Sequence, residues 1–234
     1  MAERSFDDFD VYAKDYRSIH SQNIKRSGAD SFYFAEMKVR LLQPFESNHL
    51  LKVLDLGCGD GTTEMYMNKY FPLWHITAID VSVKSIEEAK SKNGVNCDFV
   101  WYDGKTIPSP DESFDVVFMA GVLHHVEPGL QDQMMQQIRR VLKEGGRLYL
   151  FEHNPLNPLT RHLVATCVFD AHAKLLKNSA AIKQLRNNHF DVNANRFIIF
   201  FPRKGLLSKF IFLEKYLQWL PLGGQYLLVA TKSN

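Results

Sequence analysis

The chain has 234 residues, 45% of them hydrophobic and 23% charged, with a formal net charge of +2. That apolar content suits one sizeable core with additions, or at most two small domains. Lysines and arginines are interspersed with acids, which argues against the clustered basic excess of a nucleic-acid binder. No run approaches the roughly 18 uninterrupted apolar residues of a membrane span. The charged opening Met-Ala-Glu-Arg-Ser-Phe-Asp-Asp is unlike a secretory leader. Cys58, Cys97 and Cys167 fall in no paired spacing, so a cytoplasmic protein without a structural zinc is expected.

Residues 1–50 are polar and aromatic and read as an N-terminal cap. Helical periodicity runs over 31–42 on Phe34, Met37 and Leu41, and Pro44 breaks it. The cap's Tyr12, Tyr16, Tyr33 and Phe34 are candidates to cover a ligand. Residues 53–56 form a first buried strand, followed by glycines at alternate positions, Gly57, Gly59 and Gly61, with Asp55 and Asp60 beside them. Such a turn brings bare backbone close to a ligand. A helix over 62–70, capped by Thr62 or Thr63, follows. A second strand over 75–79 ends at Asp80, and Ser82 caps a helix through about 92. A third strand, 97–101, ends before Asp103-Gly104. A fourth, 114–119, is apolar nearly throughout, as a strand buried on both faces should be. Residues 130–143 are amphipathic at helical spacing, and Gly145-Gly146 turns the chain into a fifth strand at 147–151. Strands alternating with helices predict a parallel sheet with right-handed crossovers.

After residue 153 the pattern changes. Asn154-Pro155 and Asn157-Pro158 mark turns, and an apolar stretch behind them reads as an insertion. A helix is expected over 171–188, a sixth strand over 196–201 and a seventh over 226–231. Between the last two, the helix over 205–220 is rich in leucine and phenylalanine. Burial against the sheet or in a homodimer contact is its plainer account. The alternative is a lipophilic pocket or a membrane surface, with Lys204, Lys209 and Lys215 near headgroups.

The glycine turn decides against one ligand class. A dinucleotide fingerprint would place its third glycine where Thr62 stands, and Asp55 and Asp60 would repel a pyrophosphate. The ordered set of the 51–63 segment, Asp80, Asp103-Gly104 and residues 114–126 resembles the class I S-adenosylmethionine-dependent methyltransferases, over about 50–154. The Leu123-His124-His125-Val126 run and the general layout look most like the group that methylates quinone precursors, sugars, lipids and other metabolites. The resemblance implies an α/β fold: a Rossmann-like, doubly wound, seven-stranded sheet, mostly parallel with an antiparallel last strand. The chain divides into a 1–50 cap, a 51–153 cofactor-binding core, and a 154–234 substrate-side insertion with C-terminal strands. It also implies S-adenosyl-L-methionine as cofactor, with S-adenosyl-L-homocysteine as product. Gly57, Cys58 and Gly59 would wrap the methionine end with Asp55 near the amino group. Asp80 would accept the ribose hydroxyls, and its chemistry supports this independently, since a carboxylate can take two donors from a vicinal diol. Asp103 and Gly104 would face the adenine, and Val81 and Trp101 would flank it. Ala120 and Gly121 would line the floor; many relatives carry a polar residue at the position of Ala120.

On the acceptor side, His125 and His153 are the candidate catalytic residues, with Glu152 and Asn154 as candidate substrate contacts. No metal is expected, because adjacent histidines on one turn should point apart and serve poorly as paired ligands. Asp111 and Glu112, before the fourth strand, read as a solvated turn. The expected activity is in-line methyl transfer to a small-molecule or lipid- or sugar-linked acceptor, with no nucleic acid and no stable membrane insertion. A cytoplasmic enzyme, peripheral to a membrane if its acceptor is lipid-linked, is the matching location. The rival readings are a nicotinamide-dependent oxidoreductase and a protein that binds the cofactor without catalysis.

Overall fold

The computed structural model describes Asp10, Gly28 and residues 30–92 and 94–233. Tyr12 and Tyr16 of the expected cap lie outside them. Seven strands form one sheet in the order β3-β2-β1-β4-β5-β7-β6. They are β1 (Lys52–Leu56), β2 (His75–Asp80), β3 (Asp98–Trp101), β4 (Phe114–Ala120), β5 (Leu142–His153), β6 (Phe190–Ile198) and β7 (Gln225–Lys232). β1 to β5 pair in parallel, while β7 runs antiparallel between β5 and β6. The doubly wound expectation therefore holds, including the antiparallel last strand.

Alternation along the strands builds two cores. Leu54, Leu56, Val117 and Met119 point to one face. There they meet Met134, Met135 and Ile138 of α4 (Gln131–Val141) and Ala181 and Leu185 of α6 (Asn178–Asn187). Val53, Val116 and Phe118 point to the other face, against Val39 of α1 (Ser31–Arg40) and Met67 of α2 (Thr62–Tyr70). Phe71 and Trp74 stack there at 3.9 Å between ring centroids. Ile86 and Ala89 of α3 (Val83–Ser91) pack beside them on Ala78 and Phe99. β4 is buried over five of its seven positions, as its continuous apolar run predicted. The segment after α1 is tied to the sheet by Glu46. Its carboxylate accepts two bonds from Arg147, at 2.5 and 2.7 Å, and one from the Tyr149 hydroxyl at 2.6 Å.

Three expectations change. The helix predicted over 171–188 begins only at Asn178. Residues before it are held in a loop by the Lys174 amide, which donates to the His124 carbonyl at 2.8 Å. β6 starts at Phe190, ahead of the expected 196, because its first half alternates exposed polar residues with half-buried Val192 and Ala194 on a sheet edge and carries little apolar signal. The apolar segment near the C-terminus is a 3₁₀ helix (Leu206–Leu213) running into a short α7 (Glu214–Leu217), and neither buries a residue. Burial against the sheet, the plainer account, is not what the structure shows. α5 (Pro158–Ala165) fills part of the insertion, capped by the Asn157 side chain.

Candidate cofactor crevice and histidine cluster

The carboxyl ends of β1, β2 and β4 converge at the point where strand order reverses, which is where open α/β sheets bind ligands. After β1, Gly57, Gly59 and Gly61 all take positive φ, at 85°, 56° and 74°. Gly57 has no room for a side chain, since a Cβ there would lie 2.3 Å from Val122 Cγ2. The amides of Gly57 and Cys58 both donate to the Ile79 carbonyl, locking the turn to β2. Gly61, in its left-handed conformation, occupies the N-cap of α2 in place of the expected threonine cap. The Thr62 hydroxyl instead donates to Asp60, which Lys92 also reaches at 2.8 Å.

Asp80 closes the turn from the other side. One of its oxygens accepts the Gly59 amide and the other the Ser82 amide, each at 2.9 Å. Burial pushes its carboxyl up, against those two donors. With the Val81 amide also bonding to it, the carboxylate keeps acceptor capacity for a further donor. The Trp101 indole donates to the Val81 carbonyl at 2.9 Å, and its ring is 51% exposed. One Asp103 oxygen accepts the amides of Lys105 and Thr106, which hold the carboxyl below its usual range. At the foot of the crevice, Asp55 is buried beside Glu64 of α2. Burial drives Asp55 up to about 7, while a shared hydrogen bond with Glu64 opposes the rise. Among the described residues no donor group reaches either Glu64 oxygen. A shared proton joins the two carboxyls, and burial raises both.

Beyond β4 the chain turns at Gly121, whose amide donates to the Phe151 carbonyl at 2.9 Å, and enters a 3₁₀ turn over Leu123–His125. Glu152, at the end of β5, takes the Leu123 amide on one oxygen and His124 Nδ1, at 2.5 Å, on the other. His124 Nε2 faces Asp170 at 3.6 Å, and His125 Nε2 faces the same oxygen at 3.4 Å. The adjacent histidines thus do not point apart; their centroids are 4.2 Å from each other and Asp170 sits before both. Burial alone would discharge His124, yet Glu152 and Asp170 outweigh it and raise the ring to about 9. The His153 ring lies 5.3 Å from that of His124 at a tilt of 53°, and burial together with that neighbouring charge drives it down to about 3.

Residues 53–146 match the model of a methyltransferase domain. An uncharacterised protein of Methanocaldococcus jannaschii is 26% identical over 195 residues, covering 83% of this chain and 79% of that one. The ubiquinone/menaquinone biosynthesis C-methyltransferase of Hahella chejuensis is 31% identical over 114 residues, 46% of this chain and 45% of its own length. The match thus reaches less than half of that named enzyme. A SAM-dependent methyltransferase from Thermotoga maritima shares the fold over 98% of this chain and all of its own, with a TM-score of 0.69 at 17% identity. Residues 53–146 are therefore a methyltransferase domain, on the fold of the S-adenosylmethionine-dependent methyltransferases.

The crevice of this methyltransferase fits the cofactor of its family. A positive ammonium suits the Asp55–Glu64 pair, a vicinal diol suits the remaining lone pairs of Asp80, and the side-chain-free glycine turn lets backbone approach. Two expected substrate contacts have other work. Both Glu152 oxygens are engaged by Leu123 and His124. The Asn154 side chain is fully buried, donating to the carbonyls of Pro221 and Gly223 and accepting from the Leu156 amide. Asp111 pairs with Arg140 and Glu112 with Lys232, as a solvated turn would. Sequence reasoning missed Glu64, Lys38 and Asp170. Glu64 lies in the first turn of α2, where an acid reads as a favourable helix charge. Lys38 of α1 exerts its charge on both Asp55 and His153. Asp170 follows an apolar stretch and carries no local motif.

Proposed function

We propose that the protein transfers a methyl group from S-adenosylmethionine to a lipophilic or lipid-linked acceptor, with the 203–222 segment as its contact with the lipid phase. That segment's exposure carries the reading. Leu206, Leu207, Phe210, Phe212, Tyr216, Trp219 and Leu222 are exposed, Leu206 at 73% and Trp219 at 74%. Arg203, Lys204, Lys209 and Lys215 accompany them with a single acid, Glu214, which Arg203 holds at 2.9 Å. Aromatic and leucine side chains interleaved with lysines are the make-up of an interfacial segment on an anionic surface. The segment also adjoins the carboxyl end of the sheet. Asn154, next to His153, binds the carbonyls of Pro221 and Gly223, and Asn157 binds that of Leu222. An acceptor held at that surface would lie on the same side of the sheet as the crevice.

In this reading the bound cofactor supplies the methyl group on its sulfonium and leaves as the thioether. The protein positions and desolvates, which is most of what such a displacement requires. Asp55 and Glu64 hold the amino end, Gly57, Cys58 and Gly59 bring backbone to it, and Asp80 fixes the ribose. Val81, Asp103 and Gly104 border the adenine, and Ala120 and Gly121 form the floor. His125, partly exposed and oriented by Asp170, is the residue assigned to the acceptor's proton. His153 is a weak base, because a ring that titrates near 3 holds a proton poorly at neutral pH.

The test is methyl incorporation from labelled cofactor into a total cell extract partitioned between organic and aqueous phases, with the product identified by mass spectrometry. Label in the organic phase, together with co-sedimentation of the protein on anionic vesicles, is the expected result. Label confined to water-soluble product, with no vesicle binding, would overturn the lipophilic acceptor. Cofactor binding without any product would leave a non-catalytic binding protein.

A further inference from the structure

We propose that His124, His125 and Asp170 form a binding site for a divalent transition-metal ion, zinc foremost, beside the cofactor crevice. One donor atom from each lies within 4.8 Å of the others. Asp170 Oδ1 is 3.4 Å from His125 Nε2 and 3.6 Å from His124 Nε2. Ligand atoms at about 2.0–2.1 Å from a tetrahedral zinc stand roughly 3.4 Å apart, so two edges of the triangle already have that spacing. The sequence expectation of no metal rested on diverging rings, and the shared carboxylate removes that premise.

The surroundings support the same assignment. A metal-binding imidazole ordinarily gives its other ring nitrogen to a carboxylate, which fixes the tautomer and turns the free lone pair to the ion. Glu152 does this to His124 Nδ1 at 2.5 Å, and the Leu123 amide anchors the other Glu152 oxygen. Nε2 of His124 is thereby presented to Asp170. The charges also close. Glu152 and Asp170 are two largely buried carboxylates facing imidazoles; a dication with neutral rings balances both charges, whereas one protonated ring balances only one. Two imidazoles and one carboxylate leave a coordination position open, as in catalytic rather than structural zinc sites, and no thiolate is present to select a softer metal. The cluster borders the crevice: a Cβ placed on Gly121 would lie 3.7 Å from His124 Cε1. The inference needs no assumption about the acceptor, and the proton role proposed for His125 belongs to the metal-free protein, since a bound ion occupies its Nε2 lone pair.

The experiment uses the full chain, stripped with a chelator and dialysed. Titration with cobalt(II) is followed by its visible d–d absorption, and bound zinc is counted by elemental analysis after gel filtration. One equivalent of metal bound at micromolar or tighter affinity is expected. His125→Ala and Asp170→Asn should each weaken it by at least about 10-fold, and Glu152→Gln by about 10–100-fold. Thermal melting and S-adenosylhomocysteine binding of each variant establish that the fold persists. His125 is the safest of the three to change, since its ring is partly exposed. Absence of binding at micromolar metal, or equal binding by folded His125→Ala and Asp170→Asn, would overturn the site. S-adenosylhomocysteine binding would survive that failure, so the methyltransferase reading stands or falls separately.

Discussion

Asp80 concentrates several roles in one carboxylate. It accepts the Gly59 amide, which holds the glycine turn, and the Ser82 amide, which starts α3. Replacing it with Ala removes hydrogen bonds to a charged acceptor, worth about 1.5–3 kcal/mol each. S-adenosylhomocysteine affinity, read by calorimetry, should fall by about 10-fold or more; an unchanged affinity would move the ribose contact to another residue. Asp55 makes an opposite kind of contribution. Its unfolded pKa is near 3.9 and burial raises the folded value to about 7. The native state therefore binds the proton across that window, and the group's contribution to stability is lost as pH rises from about 4 to about 7. Asp55→Asn removes the titration. The melting temperature of the variant minus that of the ligand-free wild type should grow between pH 5 and pH 8, and a constant difference would refute the assignment.

At the scale of elements, the exposed Leu206–Leu213 turn and α7 are the part of the fold whose surface most needs explaining. Contiguous exposed apolar residues of this kind mark interaction sites more often than accidents. Because Phe212 and Trp219 contact mostly solvent, Phe212→Ser with Trp219→Glu should leave the melting temperature nearly unchanged, as surface changes usually do. The same double variant should lose most binding to anionic vesicles by co-sedimentation. Retained binding would place the lipid contact elsewhere. The elements predicted most accurately were β1 to β4, α2, α3 and α4. Their periodicity and caps are local signals, such as Ser82 bonding the Ser85 amide. β6 and the 171–177 loop were misjudged because an edge strand with polar alternation, and a loop pinned by His124, owe their form to distant partners.

Across the whole molecule, the two ends of the sheet do different work. The carboxyl end gathers the glycine turn, Asp80, Asp55 and the histidine cluster. At the opposite end, Asp111, Glu112, Arg139, Arg140, His189 and Lys232 line a polar cleft of about 630 Å³. Arg140 there bonds the carbonyls of Ser109 and Ile107, and Lys232 that of Leu142, so that these charges brace loops. No helix among the described residues is long and apolar enough to cross a membrane.

The sequence by itself determined the donor half of this protein. A strand running into alternate glycines, an acid at the end of the next strand and a buried fourth strand are each written in a few consecutive residues, and short-range sterics and hydrogen bonding enforce them. Thr62 at the third glycine position was enough to set aside a dinucleotide. Only the tertiary structure decided the long-range groupings. It joined Glu152 and Asp170 to two histidines from another loop, set Glu64 against Asp55, and left the 206–222 side chains facing solvent. Those arrangements depend on which distant segments meet, and hydrophobic spacing along a chain specifies an apolar face without specifying what covers it.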